Sequence, residues 1–378
     1  MTATRRVAVD LLYVTGHRGG TETYARELLP RLADRLDDIE FVGLAAAPGA
    51  GLVETWFPGP VHRTSVDTRQ RAAWALAETF AVEGAAARHG ADLLWCPANY
   101  GPGGRRVPTL VTAHDVIPFE HVPPGLGRAG QRVTTWLLRR AARGATRLLA
   151  VSEDGARRAA DVMGVDRERI SVAPNGASTV PVPGDPRAVL DEMGVPRSRA
   201  IVVSAGNRMP HKNFSTLLRA VAAVPPERRP FLVLPGGGSD DPLDPVVAAL
   251  GLRDDVMLPG WVTGDQLGAL LAVADLYVCP SLDEGFGLPV VDAMRAGCPV
   301  LASDIAVLHE VGADAVEYVD ARDEHALAAA VDRVLADPAL RAGLRARGLE
   351  RARLFTWDRS ADLVAEVVSR TLAEVQRT

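Results

Sequence analysis

The 378-residue sequence predicts an α/β protein with two doubly wound parallel-sheet domains that face each other across a cleft. Two observations carry this prediction. Short, unbroken apolar runs alternate with helical patterns along the chain, and the alternation restarts after a stretch rich in Pro, Gly, Ser and Thr. Unbroken apolar strands joined by helices are typical of parallel sheets covered on both faces. The length and a hydrophobic fraction of 47% fit two globular domains.

The first domain is predicted to span residues 1–178. Its first strand, VAVDLLYV, is followed by a helix at 22–36, and further strands alternate with helices. The predicted strands are VAVDLLYV (7–14), DLLW (92–95), TLVTA (109–113) and RLLAVS (147–152). The segment VAPNGASTVPVPGDP (172–186) has the composition of a linker and marks the boundary.

The second domain is predicted to span residues 179–355, where the alternation of strands and helices starts again. Its predicted strands are AIVVSAG (200–206), FLVLPGG (231–237), VMLPG (256–260), LYVCPS (276–281) and PVLAS (299–303). Three helices are predicted to close the chain, at 323–336, 338–353 and 357–376. Ligands of such sheets bind at the carboxyl ends of the strands, so functional residues are expected directly after strands.

Composition narrows the class of protein. The net charge of −5 argues against general nucleic-acid binding, and no run of 18 apolar residues predicts a membrane span. Three cysteines without metal-type spacing favour a reducing cytoplasm. The N-terminal segment is interpreted as a first strand and not as a signal peptide, because its apolar part is short and carries Asp10.

The segment HRGGTETYAREL (17–28) follows the first strand. Gly19 and Gly20 allow close backbone approach, and the helix after them offers free N–H groups and a positive dipole end. This suits a phosphate or a sugar hydroxyl, although a tight strand-to-helix turn explains the pattern equally well. The G-x-G-x-x-G fingerprint is absent, which disfavours a nicotinamide dehydrogenase.

The segment GNRMPHKNF (206–214) contains Lys212, the only lysine in the sequence. Arg208 and Lys212 follow a predicted strand and flank a turn, and Asn213 is expected to cap the next helix. A planar Arg fork and a compact Lys point charge at a strand end form an anion site. The alternative is two solvated charges, but a single Lys among so many Arg residues favours a position that the fork does not fit.

The segment PSLDEGFGLPVVDAMRAG (280–297) follows another predicted strand. Glycines at 285 and 287 precede a helix with Pro289 in its first turn, so the backbone N–H groups of 285–288 are predicted to face a ligand. Glu284 and Asp292 are acceptors suited to sugar hydroxyls. An acid-capped helix is the alternative.

The segment TAHDVIPFEHVPP (112–124) places His114 and Asp115 at the end of a strand. Adjacent residues point to opposite sides of a strand. Both are therefore candidates on the acceptor side, but Asp115 is equally suited to orienting or capping.

Together and in this order, the four segments resemble glycosyltransferase family 4, the retaining sugar-nucleotide transferases of the GT-B fold. The resemblance covers nearly the whole chain and is strongest over 200–320. It includes GWVTGDQLGALLAVAD (260–275), VAPNGA (172–177) and FTWDRSA (355–361). It implies two Rossmann-like domains and a last segment, 356–378, whose helix returns to the first domain.

The resemblance also implies roles for individual residues. Arg208 and Lys212 bind the donor diphosphate, while Glu284 holds the donor sugar. The sugar is also held by the backbone of the residues Gly285, Phe286, Gly287 and Leu288. The turn from Gly260 to Val262 lies by the nucleotide base.

On the other side of the reaction, Gly20 approaches the phosphate or the acceptor, with Gly19 beside it, and His114 is expected to donate a hydrogen bond to the sugar. Asp292 departs from the family pattern, which has Glu at this ribose-binding position. Its shorter arm leaves the ribose contact open.

No D-x-D motif occurs in the sequence, so no metal and no cofactor besides the nucleotide-sugar donor is expected. Arg208 and Lys212 would replace the metal by stabilising the negative charge of the departing diphosphate. The resemblance implies retention of the anomeric configuration, and a same-face route is favoured because no residue stands out as a covalent nucleophile. The run TAHDVIP (112–118) resembles that of bacterial mannosyl- and rhamnosyltransferases. The expected reaction therefore moves a hexose-type sugar, mannosyl- or rhamnosyl-like, to a hydroxyl of a glycan, glycolipid or natural product.

Two other functions stay open at this stage: a nucleotide-sugar epimerase of the same shape, and a non-catalytic sugar-nucleotide-binding partner.

Residues 121–152 contain six Arg and no Asp or Glu. Four of these arginines lie on one face of a predicted helix, and Val133, Trp136 and Leu137 lie on another face. This pattern is compatible with peripheral contact to an anionic membrane, with binding of an anionic acceptor, or with a solvated face. The expected location is therefore the cytoplasm, with contact to the inner membrane face as an option.

Overall fold

A computed structural model describes residues 5–16, 19–65, 71–104, 106–122, 127–178 and 180–375, without the side chains of 71–75 and 375. The chain forms two compact units. One contains residues 1–176 together with 356–378, and the other contains residues 177–355. Among the described residues, no helix is both long and apolar enough to cross a membrane.

Within the described part of the first unit, seven parallel strands form one sheet in the order β3-β2-β1-β4-β5-β6-β7. The strands are β1 (Arg5–Leu11), β2 (Ile39–Ala46), β3 (Val61–Thr64), β4 (Leu93–Cys96), β5 (Thr109–Ala113), β6 (Arg147–Ala150) and β7 (Ile170–Val172). Four consecutive residues of β4 are buried, as expected for a central strand covered on both faces. The strand order reverses between β1 and β4, which are paired from Val7 with Leu93 to Val9 with Trp95.

Helices join these strands. They are α1 (Gly20–Ala33), α2 (Ala50–Val53), α3 (Arg71–Phe80), α4 (Val82–Arg88), α5 (Ile117–Glu120), α6 (Gly127–Gly144), α7 (Glu153–Met163) and, from the end of the chain, α16 (Trp357–Val375). Helix α16 packs against α1, and Arg35 donates hydrogen bonds to the carboxylates of Asp358 and Asp362. At its other end Glu374 accepts from Arg147 of β6. The last helix therefore belongs to the first unit.

In the second unit the described residues form a six-stranded parallel sheet in the order β10-β9-β8-β11-β12-β13. The strands are β8 (Ile201–Val203), β9 (Phe231–Val233), β10 (Val256–Met257), β11 (Leu276–Cys279), β12 (Val300–Ser303) and β13 (Glu317–Val319). The order reverses between β8 and β11, which pair directly through Val203 and Tyr277. The carboxyl ends of these two strands are thus the switch point at which such sheets bind ligands.

The helices of the second unit cover both faces of its sheet. They are α8 (Pro186–Glu192), α9 (Phe214–Ala223), α10 (Asp244–Ala249), α11 (Gly264–Val273), α12 (Leu288–Arg295), α13 (Ala306–Gly312), α14 (Glu324–Ala336) and α15 (Pro338–Ala352). Helix α11 starts with a capping box, in which Thr263 and Gln266 each accept from the backbone N–H of the other.

The predicted fold class is confirmed, because both units are doubly wound parallel sheets. The predicted strands and the three last helices are found within a few residues of their expected ends. Four strands have no counterpart in the sequence-based prediction: β2, β3, β7 and β13. Of these, β3, β7 and β13 are only three or four residues long. These three runs, VHRT, ISV and EYV, include polar residues, so they lack the unbroken apolar pattern from which the equally short β8 and β9 are predicted.

Candidate functional site

Lys212 and Glu284 follow the two neighbouring strands at the switch point of the second unit. Lys212 lies beyond β8, at the end of a single 3-10 turn, and Glu284 lies in the loop between β11 and α12. The Lys212 Nζ donates to Glu284 Oε1 over 2.6 Å. Both side chains are largely buried, with 15% and 9% of their surface exposed. The structure therefore brings together the predicted cation and the predicted sugar-binding acid.

Hydrogen bonds to backbone carbonyls hold the Lys212 loop against the Glu284 loop. Leu282 donates its N–H to the carbonyl of His211, which directly precedes Lys212. The side-chain Nδ2 of Asn213 donates to the carbonyls of Pro280 and Ala321. These bonds fix the spacing between the Lys212 loop and the Glu284 loop.

The expectation that Asn213 caps helix α9 with its side chain is wrong. Asn213 does occupy the N-cap position, but in a left-handed conformation with φ of 58°, and its side chain makes no cap hydrogen bond. Its Oδ1 accepts from the hydroxyl of Thr216 instead. The Nδ2 group of the same side chain connects the loops.

Gly287 sets the start of helix α12. Its φ is 96°, and a Cβ at this position would lie 2.7 Å from the Leu308 Cδ2. A glycine is therefore needed for the turn that leads from Glu284 through Gly285 into Leu288. The side chain of Phe286 is buried and packs edge-to-face on Phe355, with ring centroids 5.6 Å apart. The predicted roles of residues 285–288 at a ligand concern their backbone, and they stay predictions.

Asp292 lies one turn into α12 and contacts the segment that opens the second unit. Its Oδ1 accepts the N–H of Ser178 over 2.7 Å. Burial raises the pKa of Asp292 to about 6, against the lowering effect of the Ser178 hydrogen bonds. In this structure the residue that the resemblance assigns to the ribose binds the protein's own backbone, and the ribose contact stays a prediction.

Arg208 is buried in the loop after β8, and its guanidinium is bound by groups of the protein itself. It forms an ion pair with Asp241, and each partner has 7% of its side-chain surface exposed. It also donates to the carbonyls of Leu234, over 2.6 Å, and Gly206, over 3.1 Å. The predicted contact with a diphosphate therefore requires the guanidinium to give up part of this set.

The turn from Gly260 to Val262 follows β10 at the same edge of the sheet. Gly260 has φ of 74°, and its carbonyl accepts the N–H of Gly236 over 2.7 Å. Val262 is half-buried, whereas Trp261 between them is 68% exposed. The assignment of this turn to a nucleotide base stays a prediction.

In the first unit, Gly19 and Gly20 stand at the start of α1, at the switch-point side of β1. Gly19 has φ of 61°, and a Cβ there would meet no atom within 4 Å. The Glu22 carboxylate turns back and accepts the N–H groups of Thr15, over 2.7 Å, and Gly16, over 3.0 Å. The sequence analysis did not single out Glu22, which supplies the negative charge at this helix start. His17 and Arg18, in the same motif, lie outside the described residues.

His114 directly follows β5 and is held from two sides. Its ring packs edge-to-face on Tyr24, with centroids 4.8 Å apart, and its Nε2 lies 2.7 Å from the carbonyl of Pro97. Burial lowers the pKa of His114 to about 4, so the ring is neutral near pH 7. Because a carbonyl only accepts, the proton is on Nε2 and Nδ1 is an acceptor. The expected donation to a sugar is therefore not available to this tautomer.

Asp115 has a local structural role. Its Oδ1 accepts the N–H of Ile117 over 3.1 Å at the start of the short helix α5. The N-cap position of this helix is Val116, so Asp115 braces the turn before the helix and is not its cap residue. A contact of Asp115 with an acceptor substrate stays a prediction.

Comparisons with known proteins identify related families and folds. Residues 18–180 match the model of "Glycosyltransferase Family 4", and residues 190–351 match that of "Glycosyl transferases group 1". A D-inositol 3-phosphate glycosyltransferase of Salinispora tropica is 30% identical, over 95% of this chain and 83% of the relative. Its counterpart in Stackebrandtia nassauensis is 33% identical over 53% of this chain. That match spans about half of the relative's length, 49%.

Among solved structures, HepE of Anabaena in complex with UDP-glucose superimposes with a TM-score of 0.76. It is 21% identical, and the match covers 97% of this chain and 99% of that chain. This degree of identity speaks for the fold alone. Together with the two family matches and the near full-length relative, it shows that the chain has the GT-B fold and belongs to glycosyltransferase family 4.

Proposed function

We propose that this protein transfers a hexose-type sugar from a nucleotide diphosphate donor to an acceptor hydroxyl, with retention of the anomeric configuration. The observation that carries the proposal is the buried Lys212–Glu284 pair at the switch point of the second sheet. A cation and a carboxylate held side by side suit a donor that carries a diphosphate next to sugar hydroxyls. Family membership supports the reaction class.

In the proposed same-face reaction the acceptor oxygen forms a bond to the anomeric carbon while the bond between that carbon and the diphosphate oxygen breaks. Negative charge grows on the departing oxygen, and the proton of the acceptor hydroxyl passes to the departing diphosphate. The Lys212 ammonium neutralises this charge, and the resemblance assigns Arg208 to the same diphosphate. Glu284 accepts hydrogen bonds from the donor sugar, and the backbone at Gly285 and Leu288 supports the bound donor. Such preorganised charges lower the barrier most when water is excluded.

His114 accepts a hydrogen bond from a sugar hydroxyl through Nδ1 in this proposal. A neutral imidazole with Nε2–H fixed on Pro97 can take a hydroxyl hydrogen without itself changing charge. We assign His114 to sugar binding on this ground.

We also propose that the transfer needs no metal, because Lys212 supplies the positive charge that a metal would otherwise bring. Transfer that is unchanged after treatment with EDTA supports this part. Transfer that stops with EDTA and returns with Mg²⁺ or Mn²⁺ refutes it and leaves the rest of the proposal standing.

A screen of thermal stability with UDP-, GDP-, dTDP- and ADP-sugars tests donor binding first. The sugar that raises Tm most is then incubated with enzyme alone and with candidate acceptors, and the products are analysed by NMR. An acceptor-dependent product with the donor's anomeric configuration supports the proposal. Conversion of the donor sugar without acceptor indicates an epimerase, and binding without any turnover indicates a non-catalytic partner.

For the acceptor side we propose contact with an anionic membrane surface through helices α3 and α6 of the first unit. Four large apolar side chains are more than half exposed there: Leu76, Phe80, Val133 and Trp136. Arg140 of α6 lies 5.2 Å over the ring of Phe80, which joins the two helices. Exposed aromatic and aliphatic groups beside arginines match an anionic lipid interface.

Co-sedimentation with vesicles tests this contact. We expect binding to vesicles that contain phosphatidylglycerol and much weaker binding to pure phosphatidylcholine. The variant Phe80→Ser/Trp136→Ser should lose binding, whereas Trp261→Ser, with an exposed Trp in the other unit, should keep it. Equal recovery in the supernatant with both lipids refutes the membrane contact.

A further inference from the structure

The guanidinium of Arg208 contacts five oxygen atoms of the protein. Its Nε donates to the Asp241 carboxylate over 2.9 Å, and its Nη2 lies 2.7 Å from the same carboxylate. Nη2 donates to the Leu234 carbonyl over 2.6 Å, and Nη1 donates to the carbonyls of Gly206, over 3.1 Å, and Pro235, over 3.5 Å. Both charges of the ion pair are thus compensated inside the protein.

The pair lies where three strand-end loops touch. Gly206 follows β8, Gly236 follows β9 and Gly260 follows β10; the N–H of Gly206 bonds to Pro235, and that of Gly236 bonds to Gly260. A Cβ on Gly236 would lie 2.3 Å from the Gly206 carbonyl oxygen. The backbones are therefore as close as they can be, and glycine is required for the contact.

Gly237 makes room for the ion pair itself. A Cβ at this position would lie 1.9 Å from Asp241 Oδ2 and 3.1 Å from Arg208 Nε. The loop after β9 thus lacks a side chain where the carboxylate and guanidinium pack on it. The ion pair therefore occupies the space that a side chain at position 237 would fill.

Arg208 also contacts the element that carries Lys212. Its guanidinium lies 5.2 Å over the ring of Phe214, the first residue of helix α9. The same ring approaches Gly206, 3.5 Å from the position of a Cβ there, and the aliphatic stem of Lys212 lies 3.8 Å from that position. Arg208 therefore contacts Phe214, and both the Phe214 ring and the Lys212 stem lie beside Gly206, whose carbonyl accepts from Arg208.

We propose that Arg208 and Asp241 form a fixed tie between the loops after β8 and β9, and that Asp241 is a positioning residue for Lys212. If Arg208 left to bind a phosphate, the buried Asp241 carboxylate would stay behind without its counter-charge, which costs more than one new charge-assisted hydrogen bond returns. The guanidinium therefore stays in place. Lys212 is then the side-chain cation of this loop that meets the diphosphate.

This role differs from the one that the sequence predicts for Arg208, and it rests on the proposed diphosphate site. The test uses inorganic pyrophosphate and UDP, GDP, dTDP and ADP as probes, because the donor base is not identified. We compare Kd and Tm for Arg208→Gln, Asp241→Asn and the double variant. Arg228→Gln and Asp332→Asn serve as controls, because they break an exposed Arg–Asp pair of the same unit.

We expect each single variant to lower Tm and to weaken pyrophosphate binding ~10-fold or more, as loss of a supporting contact does. The double variant, which leaves neither charge unpaired, should regain Tm and bind pyrophosphate within about threefold of the wild type, a difference under 1 kcal/mol. KM for the donor should recover in parallel. The control variants should not change Kd.

Three results overturn the tie. A folded double variant that binds pyrophosphate as weakly as Arg208→Gln means that Arg208 contacts the phosphate. Tighter binding by Asp241→Asn means that Asp241 competes with the ligand. Single variants with wild-type Kd mean that the pair positions nothing.

If Arg208→Gln does not fold, Arg208→Lys replaces it. A lysine keeps the charge but cannot serve five acceptors, so the tie predicts weak binding and direct phosphate contact predicts retained binding. Failure of the proposed function gives a separate signature, in which the wild type binds neither pyrophosphate nor any of the four nucleotides.

Discussion

Lys212 Nζ and Glu284 Oε1 are 2.6 Å apart, although 72 positions separate the two residues in the chain. The contact exists because β8 and β11 are neighbours in the sheet despite the two strands between them in sequence. A buried pair of this kind links stability and chemistry, and the two can be separated by mutation.

Lys212→Ala should reduce kcat by roughly 10²–10³-fold, by analogy with the loss of one oxyanion donor. Tm should also fall, because Glu284 loses its counter-charge. The double variant Lys212→Ala/Glu284→Gln should regain Tm but not turnover. Turnover near that of the wild type in a folded Lys212→Ala protein contradicts the catalytic assignment.

Gly287→Ala should lower the free energy of unfolding by about 1–3 kcal/mol, the usual cost of a strained left-handed residue. The new Cβ would also press on Leu308, whose Cδ2 lies 2.7 Å from its position. Urea unfolding measures the difference. Gly238→Ala, in the same unit with no atom within 4 Å of the added Cβ, is the matched control. Equal losses in both variants argue against a special backbone at 287.

Because of His114, the free energy of unfolding should rise with pH. Its pKa falls from 6.5 to about 4 on folding, so its contribution is fully present above pH 6.5 and is lost as the pH falls toward 4. His114→Gln removes this titration, so its unfolding free energy should change less than that of the wild type between pH 6.5 and 4. His325→Gln, at an exposed position, should keep the wild-type slope. Parallel curves for His114→Gln and wild type contradict the neutral, buried imidazole.

The contribution of Asp292, in the second unit, should make the free energy of unfolding fall as the pH rises. Folding raises its pKa from 3.8 to about 6, so the folded state holds the proton more tightly, and stability is lost as the pH rises from 4 to 6. Asp292→Asn keeps an acceptor for the Ser178 N–H. It should therefore exceed the wild type by about 1–3 kcal/mol at pH 8 and approach it near pH 4. The exposed control Asp254→Asn should show no such pH-dependent gain.

The strands that bear the site could be predicted because their signal is local. LYVC at β11 and IVV at β8 are apolar runs that end in Gly, Pro and polar residues, and the positions of Lys212 and Glu284 follow from them. Their contact could be expected only from the resemblance, since strand order is a long-range property.

The partners of the predicted residues could not be read from the sequence. Asp241 is 33 positions from Arg208, and Ser178 is 114 positions from Asp292. Nothing in the composition of either segment indicates the pairing. The same holds for the tautomer of His114, which depends on a carbonyl 17 positions away. Local patterns identify which side chains matter, whereas packing decides what they bind.

The first and last residues of the second unit lie side by side, since the N–H of Ala177 donates to the carbonyl of Phe355 over 2.9 Å. In the linear chain this unit is therefore an insertion, entered and left at one point, within a first unit that is completed by α16. A gene fragment for residues 177–355 has adjacent termini, which makes it suited to separate expression or to circular permutation. Truncation before residue 356, in contrast, removes the last helix of the other unit.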